Sequence, residues 1–383
     1  MLKVICSDSN VEICALDRPD LDFAVFLGPE SEPSLKDFLS ILNSPLRAVP
    51  EGYDQMASVL NVSGAAKMLI VPRHIMDAHK KNVGLTVTDL LASHGNSEYL
   101  RSYAKCRSFL SSLQPSLVDA SALQNLIKKQ KHDGVKTNLS SFMPMNGRTN
   151  TIKYSMASSS TGRLSVTSGP KVLTSPSEVK SVLRSRFQDG SILQLDLCSA
   201  EPNFALFVSG KSPKADVYAD MCSSVLSNAV DRGVAKLVTL SALYGQSTRN
   251  LEKQLPAGIG AAGVIRSIRR YLSYRSLLEK LQEKMQEANL RNYLGRPLPV
   301  DKQRLLVSHY LQSSVAEASM VMFSDFCLNE PTAVPLFVIH DALIVDCEKE
   351  LADRLLNEKI LFLDFDNAKF PVKVRALRNN YNS

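Results

Sequence analysis

The sequence predicts an α+β fold organised on an antiparallel sheet, and three stretches carry that prediction. Ser191–Leu197, SILQLDL, has the apolar content of a buried strand and carries Asp196 near its end. Pro335–Cys347, PLFVIHDALIVDC, is two apolar runs parted by His340, Asp341 and Ala342, the pattern of a tight hairpin with an acid at its tip. Asp231–Gly245, DRGVAKLVTLSALYG, has helical spacing instead. Its Arg232, Lys236, Leu240 and Tyr244 recur every fourth residue, so two cations and a ring share one stripe. Leu237, Val238 and Ala242 then face a core, and Gly245 suits a left-handed helix cap. Such a stripe either holds a triphosphate along its length and stacks a base at its far end, or is the solvated face of an amphipathic helix.

The remaining elements follow in order. Leu2–Cys6 and Phe23–Leu27 are strand-like and Ser34–Leu42 has helical spacing, so residues 1–85 form a small N-terminal α/β segment. Asp17, Asp20 and Asp22 in it are either a metal site or a solvated turn. From Thr86 to Lys136 the pattern is helical, with Tyr99, Tyr103 and Phe109 on one segment and Leu117, Leu123 and Leu126 leading into a second. Lys128, Lys129, Lys131 and Lys136 crowd the end of that second helix, facing solvent or a duplex backbone. Ser140–Pro170 is polar, and its SSSTGRLS run is a phosphate-binding loop or a plain one.

After the strand that holds Asp196, Ser199 is placed to cap a helix with Glu201 and Pro202 in its first turn. A carboxylate at the end of a buried strand is costly without a partner, and metal coordination is the usual remedy. Were Asp196 and Asp341 on neighbouring strands, they would face each other across a pair of divalent cations, an arrangement that serves phosphoryl transfer. Ala262–Leu290 is a long basic helical region, NYLGRPLPV a turn, and Asp301 the cap of a helix running to about Leu328. Arg304, Ser308 and Gln312 on that last helix form a polar stripe, either a satisfied core feature or a reader of base edges.

Composition narrows the class. A chain of 383 residues has room for two or three domains, and 44% hydrophobic with 22% charged residues excludes disorder on a large scale. The net charge of +7 permits a polyanionic partner without singling one out. Cys6, Cys14, Cys106, Cys198, Cys222, Cys327 and Cys347 are scattered without metal-site spacing, which indicates a reducing compartment and a cytoplasmic location. No run of about eighteen apolar residues and no signal-peptide pattern occurs, so no membrane partner is expected.

Taken in order, TGRLS at 161–165, DLCSAE at 196–201, the Arg232, Lys236, Tyr244 and Gly245 helix, GRPL at 295–298, Gln312 and HDA at 340–342 resemble the motifs of the family A (polymerase I type) DNA polymerases. The resemblance covers about residues 140–375 and is closest to compact phage or viral members. It implies a right-hand fold: thumb-like helices at 86–140, a palm at 141–210 and 301–383, and fingers at 211–300. It implies two magnesium ions held by Asp196 and Asp341, deoxynucleoside triphosphates and primer–template DNA as partners, and replisome proteins beyond them. Arg232 and Lys236 match the cations that grip the triphosphate, Tyr244 the ring beside the nascent pair, and Glu201 the residue that crowds the sugar 2′ position. Arg163 and Gln312 match minor-groove contacts, Arg304 lies on the same face as Gln312, and His340 matches a residue that places the primer terminus.

The chain departs from the family where Leu240 replaces an aromatic residue, Ser241 a glycine, Ala342 an acid and Pro202 an aliphatic one, and where Tyr218 stands in for a histidine near the phosphates. The segment from Asp196 to Arg232 is short for the family, which implies trimmed fingers, and 1–85 is too short for a proofreading exonuclease. Three other readings stay open: a single-subunit RNA polymerase, opposed by Glu201; an enzyme copying RNA; and a catalytically impaired replisome scaffold that binds nucleic acid.

Overall fold

A five-stranded antiparallel sheet holds both apolar stretches and brings their acids side by side. The computed structural model describes residues 3–6, 11–14, 52–61, 70–75, 78, 98–156, 159–226, 229–244, 248–256, 258–287, 289–300 and 302–377. Asp17, Asp20, Asp22, Phe23–Leu27, Ser34–Leu42, Gly245 and Asp301 lie outside them. The chain divides into two units, residues 1–107 with 294–297, and 108–293 with 298–383.

In the first unit β1 (Lys3–Cys6) pairs antiparallel with β2 (Val11–Cys14), and α1 (Tyr53–Val59) follows. Its last helix, α2 (Glu98–Ser112), belongs to it as far as Arg107. Tyr99 and Tyr103 are buried there, and Gly295 at φ 89° meets Tyr99 so closely that a Cβ would stand 2.9 Å from the tyrosine Cβ. Only glycine fits that approach.

The second unit opens with β3 (Leu117–Val118), α3 (Ala120–Lys129) and α4 (Asp133–Ser140), where one continuous helix was expected. The helix starts late because the Asp119 carboxylate accepts the Ala122 N–H at 2.8 Å and the Arg184 guanidinium at 2.8 Å, capping α3 and leaving Leu117–Val118 to pair as a strand. Gln130, in an extended conformation, then ends α3, so Lys136 sits on α4. Next come β4 (Lys153–Ser155), β5 (Ser165–Ser168), β6 (Leu183–Arg184) and β7 (Ser191–Leu197).

Helices α5 (Ala200–Val208), α6 (Val217–Ser224), α7 (Arg232–Tyr244), α8 (Thr248–Glu252), α9 (Ala261–Tyr271), α10 (Tyr274–Gln286) and α11 (Leu306–Asn329) follow. The chain closes with β8 (Ala333–Ile339), β9 (Ala342–Cys347), α12 (Lys349–Glu358), β10 (Ile360–Phe365) and β11 (Ala368–Ala376). The sheet order is β10-β11-β7-β9-β8.

Strand β7 is central, paired with β11 on one side and β9 on the other, and its Leu193, Leu195 and Leu197 are buried. Strand β9 is buried along its whole length. Proline has no ladder donor, and Pro335 accordingly stands on edge strand β8 at a register shift. The rings of Phe204, Phe207, Tyr293, Phe365 and Phe370 lie at centroid separations of 5.1–6.1 Å and fasten α5 to the β10–β11 hairpin. Helix α11 is buried on most sides, and its Ser313 and Glu317 accept the Asn292 amide at 3.0 and 2.7 Å.

Asp346 on β9 is 1% exposed and accepts from Ser185 Oγ at 2.6 Å, Arg186 N at 2.9 Å and Arg186 Nε at 3.1 Å. Removing one partner of a buried pair strands the other. Asp346→Ala is therefore expected to lower unfolding stability by about 3–5 kcal/mol in urea titration; a loss under about 1 kcal/mol would show that the cluster is only a bystander.

Candidate active site

Asp196 sits near the end of β7 and Asp341 in the two-residue turn between β8 and β9. In register Asp196 faces Ala342 on β9, and the Leu197 N–H donates to the Asp341 carbonyl at 3.2 Å, so the two acidic residues are locked together by backbone. Tyr154 steadies the hairpin from below, its hydroxyl donating to the Val338 carbonyl at 2.7 Å and accepting from the Val338 N–H at 3.1 Å. Two non-glycine residues next to the acids adopt left-handed backbone, His340 at φ 55° and Ser199 at φ 46°. Each such conformation costs about 1–3 kcal/mol and persists only where its surroundings enforce it. Ser199 stands just before α5, at its cap position, but makes no side-chain cap, contrary to expectation, because its left-handed backbone removes the capping geometry; its hydroxyl meets Tyr218 instead.

Burial, then the neighbouring Asp196, push the Asp341 carboxyl up to about 6. Burial also raises Asp196, while Arg375, Lys180, Lys236 and Lys373 pull it back. Two acids held this way repel each other in a partly dry site.

Helix α7 borders a cavity of about 870 Å³, and its stripe of Arg232, Lys236, Leu240 and Tyr244 lines that cavity together with both acids. Val238 and Ala242 on its other face are fully buried, as the spacing requires, whereas Leu237 is only half-buried. Arg232 Nε donates to Asp216 at 2.6 Å, and its guanidinium lies 5.5 Å from the centre of the Tyr218 ring. Burial favours protonation of Asp216, but Arg232 and the Ala219 N–H outweigh it and hold the carboxyl below its ordinary range. Lys236 is exposed and has no hydrogen-bonded or ion-paired partner among the described residues.

Glu201, one residue into α5, is gripped from two sides. Arg163 Nη2 donates to it at 2.8 Å and the Tyr244 hydroxyl donates to its other oxygen. Burial and the Glu201 charge raise the Tyr244 phenol well above its ordinary value, and Gln312 also meets that hydroxyl. His340 completes the rim.

The structure thus gathers Arg163, Asp196, Glu201, Tyr218, Arg232, Lys236, Leu240, Tyr244, Gln312, His340 and Asp341 in one cavity. It does not bring in Lys128, Lys129 and Lys131, exposed at the C-terminal end of α3 where cations complement the helix dipole, nor Arg304, exposed in a short 3₁₀ turn before α11. The polar stripe on α11 divides: Ser308 is buried and donates to the Leu305 carbonyl, whereas Gln312 reaches the cavity. Sequence reasoning missed Asp216, Lys373 and Arg375, which line the cavity, and the fully buried Asn203, whose amide ties the Cys198 and Lys214 carbonyls together at 2.6 and 2.9 Å. The alternation in KVRA was readable as a strand with both cations on one face, but not which strand it pairs with.

No protein-family model and no curated protein matches the sequence. Among solved structures similar to the chain is the POL domain of Pol1 from M. smegmatis in complex with DNA primer-template and dNTP, at TM-score 0.47 and 16% identity, with 67% of this chain and 55% of that chain covered. The chain therefore spans about half the length of that structure. No helix among the described residues is long and apolar enough to cross a membrane.

Proposed function

We propose that the chain is a template-directed DNA polymerase, a nucleotidyltransferase that adds deoxynucleotides to a primer 3′ end. The observation that carries this reading is the pair Asp196 and Asp341, locked side by side and lining one cavity with the Arg232, Lys236 and Tyr244 stripe. Lys236 and Arg232 hold the triphosphate charge, Tyr244 lies against the base pair, and Glu201, fixed by Arg163 and Tyr244, stands at the sugar. In this reading the five-stranded sheet is the palm, helices α6 to α10 are the fingers, α3 and α4 belong to the thumb, and primer–template DNA and deoxynucleoside triphosphates are the partners.

The donor set suits magnesium. Among the described residues no group of three or more His, Cys, Asp or Glu side chains is placed to hold a metal. Magnesium, however, is ordinarily held by one or two carboxylates together with substrate phosphates, and two desolvated, mutually repelling carboxylates are such a pair. Asp196 and Asp341 would hold it. When bound, it supplies Lewis acidity and charge neutralisation for phosphoryl transfer.

Extension of a labelled primer with magnesium tests the reading. Template-directed incorporation of deoxynucleotides is expected, and Glu201→Ala is expected to raise ribonucleotide incorporation on the order of 10²-fold. DNA binding without incorporation would favour a scaffold, and a wild-type preference for ribonucleotides an RNA polymerase.

A further inference from the structure

Strand β11 puts two cations where neither the composition nor the resemblance had placed any. In register Lys373 faces Asp196 and Arg375 faces Gln194, so these four side chains stand on one face of the sheet. Both cations are exposed, both line the cavity, and neither has a hydrogen-bonded or ion-paired partner among the described residues. Lys180 joins the same row, donating from Nζ to Gln194 Oε1 at 2.9 Å. Asp196 feels all three. On this flank three cations therefore confront one carboxylate, an excess that calls for an anion.

Position selects which anion. The sheet order places β11 on the side of β7 away from the Asp341 hairpin, with Lys373 level with Asp196 and Arg375 two residues further from the two-acid end, so the pair starts at the acids and leads away from them. Two residues along a strand advance about 6.6 Å, close to the separation of neighbouring phosphates along a polynucleotide. We infer that Lys373 and Arg375 form a phosphate track that grips successive backbone phosphates of the strand being extended, behind its 3′ end. The inference rests on the polymerase reading and adds to it a contact on the sheet itself.

The test uses the full chain, a fluorescent hairpin primer–template and the double variant Lys373→Gln/Arg375→Gln, which removes both charges at exposed strand positions while keeping a polar side chain at each. The slope of log affinity against log salt is expected to become shallower by about 1.8, that is about 0.9 per lost phosphate contact, with the nucleotide KM unchanged. The charge-preserving variant Lys373→Arg/Arg375→Lys is expected to retain the wild-type slope. An unchanged slope in an active double-Gln variant removes the track and leaves the polymerase reading standing. A raised nucleotide KM with an unchanged slope overturns the inference in another way, by assigning the cations to the triphosphate. A shallower slope in the variant of a protein whose wild type extends no primer would remove the polymerase reading and overturn the inference as stated, leaving the two cations as contacts to nucleic-acid phosphates alone.

Discussion

Asp341→Asn is expected to abolish primer extension, by on the order of 10³-fold or more, and at the same time to raise the melting temperature of the metal-free protein above neutral pH. Both effects have one origin. Burial in the turn, and then the charge of Asp196 beside it, raises the Asp341 carboxyl from 3.8 to about 6. The folded protein thus binds this proton more tightly than the unfolded chain, and ionisation opposes folding. The penalty is absent below about pH 3.8, grows between 3.8 and 6, and is complete above about 6. It is worth about 3 kcal/mol, which the neutral asparagine removes.

Thermal melts of wild type and variant at about pH 8 and about pH 4 check this. The variant should gain a few degrees at the higher pH and little at the lower. Magnesium should raise the wild-type midpoint above pH 6 and leave the variant where it was, since a ligand stabilises only the state that binds it. Equal midpoints at both pH values would mean that the carboxylates are not strained against each other, and the site would lose its reason to bind a cation.

What could be read in advance follows from range. The spacing of Arg232, Lys236, Leu240 and Tyr244 needs only one helix to become a stripe, and an acid in or beside an apolar run, as at Asp196 and Asp341, is conspicuous because its burial is costly. The Arg232–Asp216 contact spans two helices, and the pairing of Lys373 with Asp196 joins residues far apart in the chain; no local pattern encodes either. The start of α3 was misread for the same reason. Asp119 is a legible cap, but the strand that precedes it exists only because Leu183 and Arg184 come to pair with it. The left-handed backbone of His340 belongs to the two-residue hairpin turn, which the sequence did announce, whereas that of Ser199 was silent, since serine gives no sign of a positive φ.

Lys236→Ala is expected to lower kcat/KM for the incoming nucleotide by about 10²- to 10³-fold without loss of fold stability. The contrast with Arg232 supplies the reason. Arg232 is already engaged, with Asp216 at 2.6 Å and Tyr218 beneath it, so a triphosphate must compete for its guanidinium. Lys236 has no such partner, faces the cavity, and reaches Asp196 electrostatically, so its whole charge is available to the phosphates next to the acids. An exposed ammonium without a partner contributes little to folding, which separates the two readouts. Lys236→Arg should recover part of the rate because it keeps the charge, though its planar fork fits a point-charge site less well. Asp216→Asn should tighten nucleotide binding by freeing Arg232 while its side-chain oxygen still caps α6. Single-turnover measurements over nucleotide concentration separate affinity from rate; a Lys236→Ala enzyme within about threefold of wild type would mean that the cation serves solvent rather than substrate, and the stripe on α7 would revert to an ordinary helix surface.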